Sequence, residues 1–104
     1  MSNVYYDPEK FGLRTLGELD FSSGSYEFDL SVVWTDGTAL FWADDAGCSC
    51  PSPFESVGRD DLSTGSIDAL RRYLHERQQE QYTQYVKHDE VVDFIARVRK
   101  EMAK

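Results

Sequence analysis

The sequence predicts an α+β fold: a small three-stranded antiparallel β-meander packed against two C-terminal helices. Three observations carry this prediction. Tyr26, Phe28, Leu30, Val32 and Trp34 alternate with Glu27, Asp29, Ser31 and Thr35, the period of a half-buried strand. Asp36-Gly37 then interrupts two β-rich runs, as a hairpin turn would. Finally, Val91, Phe94, Ile95, Val98 and Met102 fall at the spacing of one helix face.

Taking the chain in order, residues 1–11 read as irregular. Asp7-Pro8 marks a turn, and Val4, Tyr5, Tyr6 and Phe11 are placed to tuck onto the sheet edge. Residues 13–21 set Leu13, Thr15, Leu19 and Phe21 against Arg14, Glu18 and Asp20, a first strand with Gly17 as a weak point or bulge. Ser22-Ser23-Gly24-Ser25 turns the chain into the central hairpin.

A two-residue turn at Asp36-Gly37 opposes Trp34 to Ala39, Val32 to Phe41 and Leu30 to Ala43. That face is wholly apolar and is expected to be the core, covered by the helices. The opposite face pairs Val33 with Leu40 and Ser31 with Trp42, so three apolar residues stand where a polar surface belongs. Two readings follow for it. Either the N-terminal segment or the loop 51–62 covers Trp42, or the patch is an interface anchored by a tryptophan.

Residues 44–65 are rich in turn formers yet contain Phe54, Val57 and Leu62, which predicts a long loop packed against the body. Ser66 reads as the N-cap of a first helix carrying Ile67, Leu70 and Leu74. Beyond Leu74 that helix becomes glutamine-rich and is expected to stand partly free. Lys87-His88 reads as a break, with Asp89 as the next N-cap, and Arg99 and Lys100 suit the negative end of the second helix. This helix has the cleaner stripe and is the better cover for the Trp34/Phe41 face.

The length of 104 residues supports a single domain, with a β-rich acidic part (1–45), a Cys/Pro loop (46–65) and a helical part (66–104). The net charge is −8, and its distribution is uneven. Residues 1–65 hold twelve acids against three bases, net −9, which leaves +1 for the rest. Such a balance argues against direct nucleic-acid binding, which needs clustered Lys and Arg on phosphates. The N-terminus has no basic-then-apolar leader pattern and no run reaches the length of a membrane span, so a cytoplasmic protein with reduced cysteines is expected.

Catalytic frames are absent from the sequence. Ser, His and Asp occur without a nucleophile elbow, and no phosphate-binding glycine loop is present. Cys48-Ser49-Cys50 has two thiols where a structural zinc site needs four ligands, and the only histidines, His75 and His88, lie in the helical part. Small residues in a tight, partly buried loop are the plainer account of these cysteines. Asp44-Asp45, near Asp29 and Asp36, lacks the spacing of a hard-cation loop and reads as solvated carboxylates. The reading is therefore of a protein that is not an enzyme and carries no cofactor or metal.

One segment is distinctive. Gly47-Cys48-Ser49-Cys50-Pro51-Ser52-Pro53-Phe54-Glu55, with Tyr26-Glu27-Phe28 and Val33-Trp34 upstream, resembles a group of small uncharacterised proteins of actinobacterial bacteriophages. In that group a Gly-Cys-Ser-Cys-Pro-x-Pro-Phe-Glu segment follows a short β-rich region. The resemblance covers residues 26–62; Ala46 stands where the group has Ser. It implies a phage accessory protein acting in host cytoplasm. The expected function is non-enzymatic binding of a host or phage protein, through Val33, Leu40, Trp42, Asp44, Asp45 and Phe54. Two alternatives stand beside it: a Cys-x-Cys metal or redox module, and an acidic nucleic-acid mimic that occupies a DNA-binding protein.

Overall fold

A computed structural model describes residues 3–22, 27–48, 54, 57–80 and 86–103. Among these residues the fold is α+β, with four strands rather than three. The strands β1 (Arg14–Asp20), β2 (Glu27–Thr35), β3 (Leu40–Cys48) and β4 (Ser63–Gly65) form one antiparallel sheet in sequence order. The helices α1 (Ile67–Glu80) and α2 (His88–Met102) follow. The extra strand, β4, lies in the stretch read as loop. Three residues with no apolar alternation give no periodic signal, and only pairing with Leu40, Phe41 and Trp42 makes them a strand.

The central hairpin forms with a longer loop than Asp36-Gly37 suggests. Thr35 pairs with Leu40, Trp34 with Phe41 and Val33 with Trp42, so residues 36–39 make the turn. Local side chains favour it. The Asp36 carboxylate accepts the Thr38 and Ala39 N–H groups, and Thr35 Oγ1 accepts from Gly37 N–H while donating to the Ala39 carbonyl. Gly37 takes φ 101°, which a side chain would resist. The Asp36 carboxyl is held below the usual range chiefly by these two N–H groups. The partners shift by two residues relative to the tight turn, and an even shift leaves every side chain on its expected face.

β1 carries the irregularity anticipated at Gly17. Its register with β2 slips between Thr15 and Gly17, so Leu16 is the extra residue of a bulge. The slip divides the strand's apolar residues. Leu13 joins the layer on one side of the sheet, while Leu19 and Phe21 join the other.

Val32, Val33 and Trp34 are all fully buried, and three consecutive strand residues achieve this only when both faces are covered. On one face the helices bring Leu70, Leu74, Val91, Phe94, Ile95 and Val98 onto Val33, Leu40 and Trp42. On the other, Val4, Leu13 and Phe54 pack on Leu30, Val32 and Trp34, with Phe11, Val57 and Leu62 at the margin. This reverses the expected placement: the helices cover the Val33/Trp42 face, not the Trp34/Phe41 face. Both rows are apolar enough to accept either cover. The decisive geometry is at Gly65, where a Cβ would lie 3.1 Å from Trp42 Cη2 and 3.2 Å from Ala69 Cβ. The chain leaves β4 there directly over Trp42 and enters α1 on that side.

Ser66 caps α1 as expected, its Oγ accepting the Ala69 N–H at 3.2 Å. α2 begins at His88 with Lys87 in the cap position, two residues before the expected Asp89 cap. Nor does α1 come free after Leu74, since Gln78 is buried and Arg77 reaches the sheet. The two helices also meet through His75 and His88, whose rings stack with centroids 4.8 Å apart. On the far face, Trp34 Nε1 donates to the Val4 carbonyl at 3.0 Å, pinning the N-terminal segment onto the sheet face rather than its edge. Tyr6 alone of its aromatic residues remains exposed.

Candidate functional site

The richest polar constellation among the described residues lies on the helix-covered side of the sheet, away from the hairpin loop. Alternation on β2 points Asp29, Ser31 and Val33 the same way, and pairing sets Asp44 opposite Ser31. Across from them, Tyr73 and Arg77 sit four residues apart on α1 and therefore share its sheet-facing side. The Arg77 guanidinium donates through Nη2 to Asp29 Oδ1 at 2.6 Å and through Nε to Ser31 Oγ at 3.1 Å. It also lies over the Phe21 ring, 4.6 Å from the centroid.

The proton order of the remaining bonds follows from donor supply. Tyr73 has one O–H and donates it to Asp44 Oδ2 at 2.6 Å. Its 3.0 Å contact with Ser31 Oγ must then run the other way, with Ser31 as donor. One directional chain results: Arg77 donates to Ser31, Ser31 to Tyr73, and Tyr73 to Asp44, while Arg77 also holds Asp29. Hydrogen bonds arranged head to tail in this way reinforce one another.

Electrostatics agree with that order. Burial pushes the Tyr73 phenol well above its ordinary range, and its bond to Asp44 adds to the shift. Tyr73 therefore remains a donor at every ordinary pH. For Arg77 burial opposes the charge, but the Asp29 hydrogen bond and charge outweigh it and raise its affinity for the proton. The arrangement fixes two carboxylates in space. Asp44 stays exposed and Asp29 half-buried, so both carboxylates present ordered negative charge to solvent.

The residues expected to form a contact surface are not brought together. Val33, Leu40 and Trp42 lie beneath the helices, Trp42 with only 6% of its surface exposed. They are core residues, and the placement of Trp42 on an outer patch is corrected accordingly. The helices cover it, while Val4 of the N-terminal segment and Phe54, Val57 and Leu62 of the loop pack on the opposite face. Phe54 is fully buried on the opposite face, between Tyr5 and Trp34, with ring centroids 5.6 and 5.7 Å away. Asp45 turns to that same face, where Oδ2 accepts the Phe54 N–H at 2.8 Å. Phe54 also holds φ 59°, a left-handed conformation that costs a side-chain-bearing residue energy. Its burial and the Asp45 bond offset that strain.

Only Asp44, of the six, reaches solvent at the polar chain. Ser31, Tyr73, Arg77 and Asp29 were not among the expected site residues. Their one signal in sequence is the i, i+4 placement of Tyr73 and Arg77 beside an alternating Asp29/Ser31 strand. The cysteine-loop reading lies outside the described residues at Cys50 and the Cys48 side chain. Among the described residues, no three His, Cys, Asp or Glu side chains gather as metal ligands. Nor, among these residues, is any helix long and apolar enough to cross a membrane.

The family model of a domain of unknown function, DUF7574, matches residues 2–104. The chain belongs to this family. No curated protein and no solved structure matches it. The DUF7574 match spans the sheet, both helices and the acidic rim alike, so these elements belong to one family unit.

Proposed function

We propose that this DUF7574 chain is a non-enzymatic phage accessory protein that binds a host or phage protein in the bacterial cytoplasm. Its contact surface is the acidic rim around Asp44 and Asp29. The phage setting rests on the Gly47 to Glu55 segment and its resemblance to actinobacteriophage proteins. One observation supports the surface: the Arg77–Ser31–Tyr73–Asp44 chain holds two carboxylates in place while leaving Asp44 exposed. Ordered carboxylates meet a basic partner without first losing side-chain freedom, which lowers the entropic cost of binding. Ala46, exposed and on the same side of β3, extends the surface beyond Asp44.

The test is affinity capture from host lysate with wild type, Asp44→Asn and Ala46→Lys, each checked for an unchanged melting temperature. Asparagine keeps an oxygen for Tyr73 but removes the charge. The expected result is a specific partner that wild type retains at low salt and both variants lose. Equal recovery by all three, or no specific partner with wild type, sinks the assignment. If DNA displaces the captured partner in a salt-dependent way, the rim is acting as a nucleic-acid mimic.

A further inference from the structure

We propose that a second site, at the hairpin end of the helix pair, binds a small monocarboxylate with an unbranched apolar tail. Leu40, Ile67 and Met102 form the apolar walls of a cavity of about 270 Å³, with Gly65, Ser66 and Arg99 at its margin. The volume falls near the lower end of small-ligand sites, which run from about 300 to 1,000 Å³, so its occupant is compact. The cavity opens between the end of β4, the start of α1 and the last turns of α2; both helices pack in the main core, and β4 is held by its pairing with β3.

Charge selects the class of ligand. The chain carries 19 acidic residues, yet none lines this cavity. Arg99 is exposed, and among the described residues its guanidinium has neither an ion-pair partner nor a hydrogen bond. The nearby Glu101 carboxylate turns to Arg14 at 3.5 Å. A free two-pronged cation beside an apolar hollow matches a carboxylate followed by hydrocarbon, with the head on Arg99 and the tail against Leu40, Ile67 and Met102. Phosphate esters and sugars fit less well, because beyond Arg99 only the Thr38 and Ser66 hydroxyls are at hand to bond their remaining oxygens.

The probe is hexanoate, with hexanol as its neutral counterpart, followed by amide chemical shifts of the labelled full chain. Hexanoate is expected to move the Leu40, Gly65, Ile67 and Met102 signals saturably, while hexanol leaves them nearly unmoved. Arg99→Gln is expected to weaken hexanoate at least tenfold with the rest of the spectrum unchanged, since the side chain makes no contact the fold needs. Absence of saturable shifts overturns the proposal, as does an equal response to hexanol or full affinity in Arg99→Gln. The comparison of the two probes on wild type stands without any variant. Because the cavity shares no residue with the acidic rim, Asp44→Asn should leave hexanoate binding intact whatever becomes of partner capture.

Discussion

Gly17 shows how one missing side chain sets the distance between a strand and a helix. A Cβ at this position would lie 2.8 Å from Phe94 Cε1, inside the closest approach real atoms make, so the ring of α2 rests on bare backbone. Gly17→Ala should cost about 1–3 kcal/mol by overpacking, measured by urea unfolding, and Phe94→Leu should recover part of it. If Gly17→Ala is neutral, the ring has room that the packing denies. Arg77 predicts a loss of another kind. Its removal strands Asp29 and Ser31, and because both ends of the ion pair keep some water, Arg77→Met should cost only about 1–2 kcal/mol. A double-mutant cycle with Asp29→Asn measures the coupling, and independence of the two substitutions would contradict it. Phe54→Ala removes a fully buried ring and should cost about 3–5 kcal/mol, the usual range for aromatic truncation in a core. A melting temperature unchanged by that substitution would mean the second layer contributes nothing to the fold.

At the scale of elements, the His75–His88 stack joins the two helices by a contact that responds to acid. Burial lowers the His75 pKa from 6.5, with His88 and Arg71 adding repulsion. The unfolded chain therefore binds this proton more readily, so stability is greatest above about pH 6.5 and falls as pH drops through the folded value. Melting curves at about pH 7.5 and 5.5 should show a larger drop for wild type than for His75→Phe, which keeps a ring but cannot titrate. Equal drops would exclude the pair as their source. The elements themselves were largely readable. Alternation gave β2, the 91–102 stripe gave α2, and Ser66 gave the start of α1. The faces of the hairpin also survived a loop misjudged by two residues, because an even shift preserves parity. What the sequence could not disclose was which face the helices take. The Val32/Trp34 row is the more apolar of the two and reads as the helix-covered one, yet the choice depends on the exit of β4 at Gly65, a strand made only by its partner.

For the whole molecule, the sheet is a shared wall between two unlike rooms, helices on one side and the N-terminal segment with Phe54 on the other. The polar chain at its rim was illegible for the same reason as the helix placement. Its contacts join β2 to α1 across separations of 42 to 48 residues, and no local pattern encodes a bond of that span. The acidity of the first 65 residues was readable, whereas the fixing of Asp29 and Asp44 by Arg77 and Tyr73 was not. Trp42→Asp, a natural choice for disabling an exposed patch, would instead bury an unpaired charge and should unfold the domain, as loss of near-ultraviolet circular dichroism would show. The two tryptophans, one per room, also make the protein its own two-channel reporter. Trp34→Phe leaves a fluorophore beneath the helices, and Trp42→Phe leaves one beside Phe54. Each single-tryptophan chain reports how one side of the wall comes apart. Since Val32, Val33 and Trp34 serve both sides within three consecutive residues, the two emission transitions, each set against the circular dichroism of its own chain, should coincide.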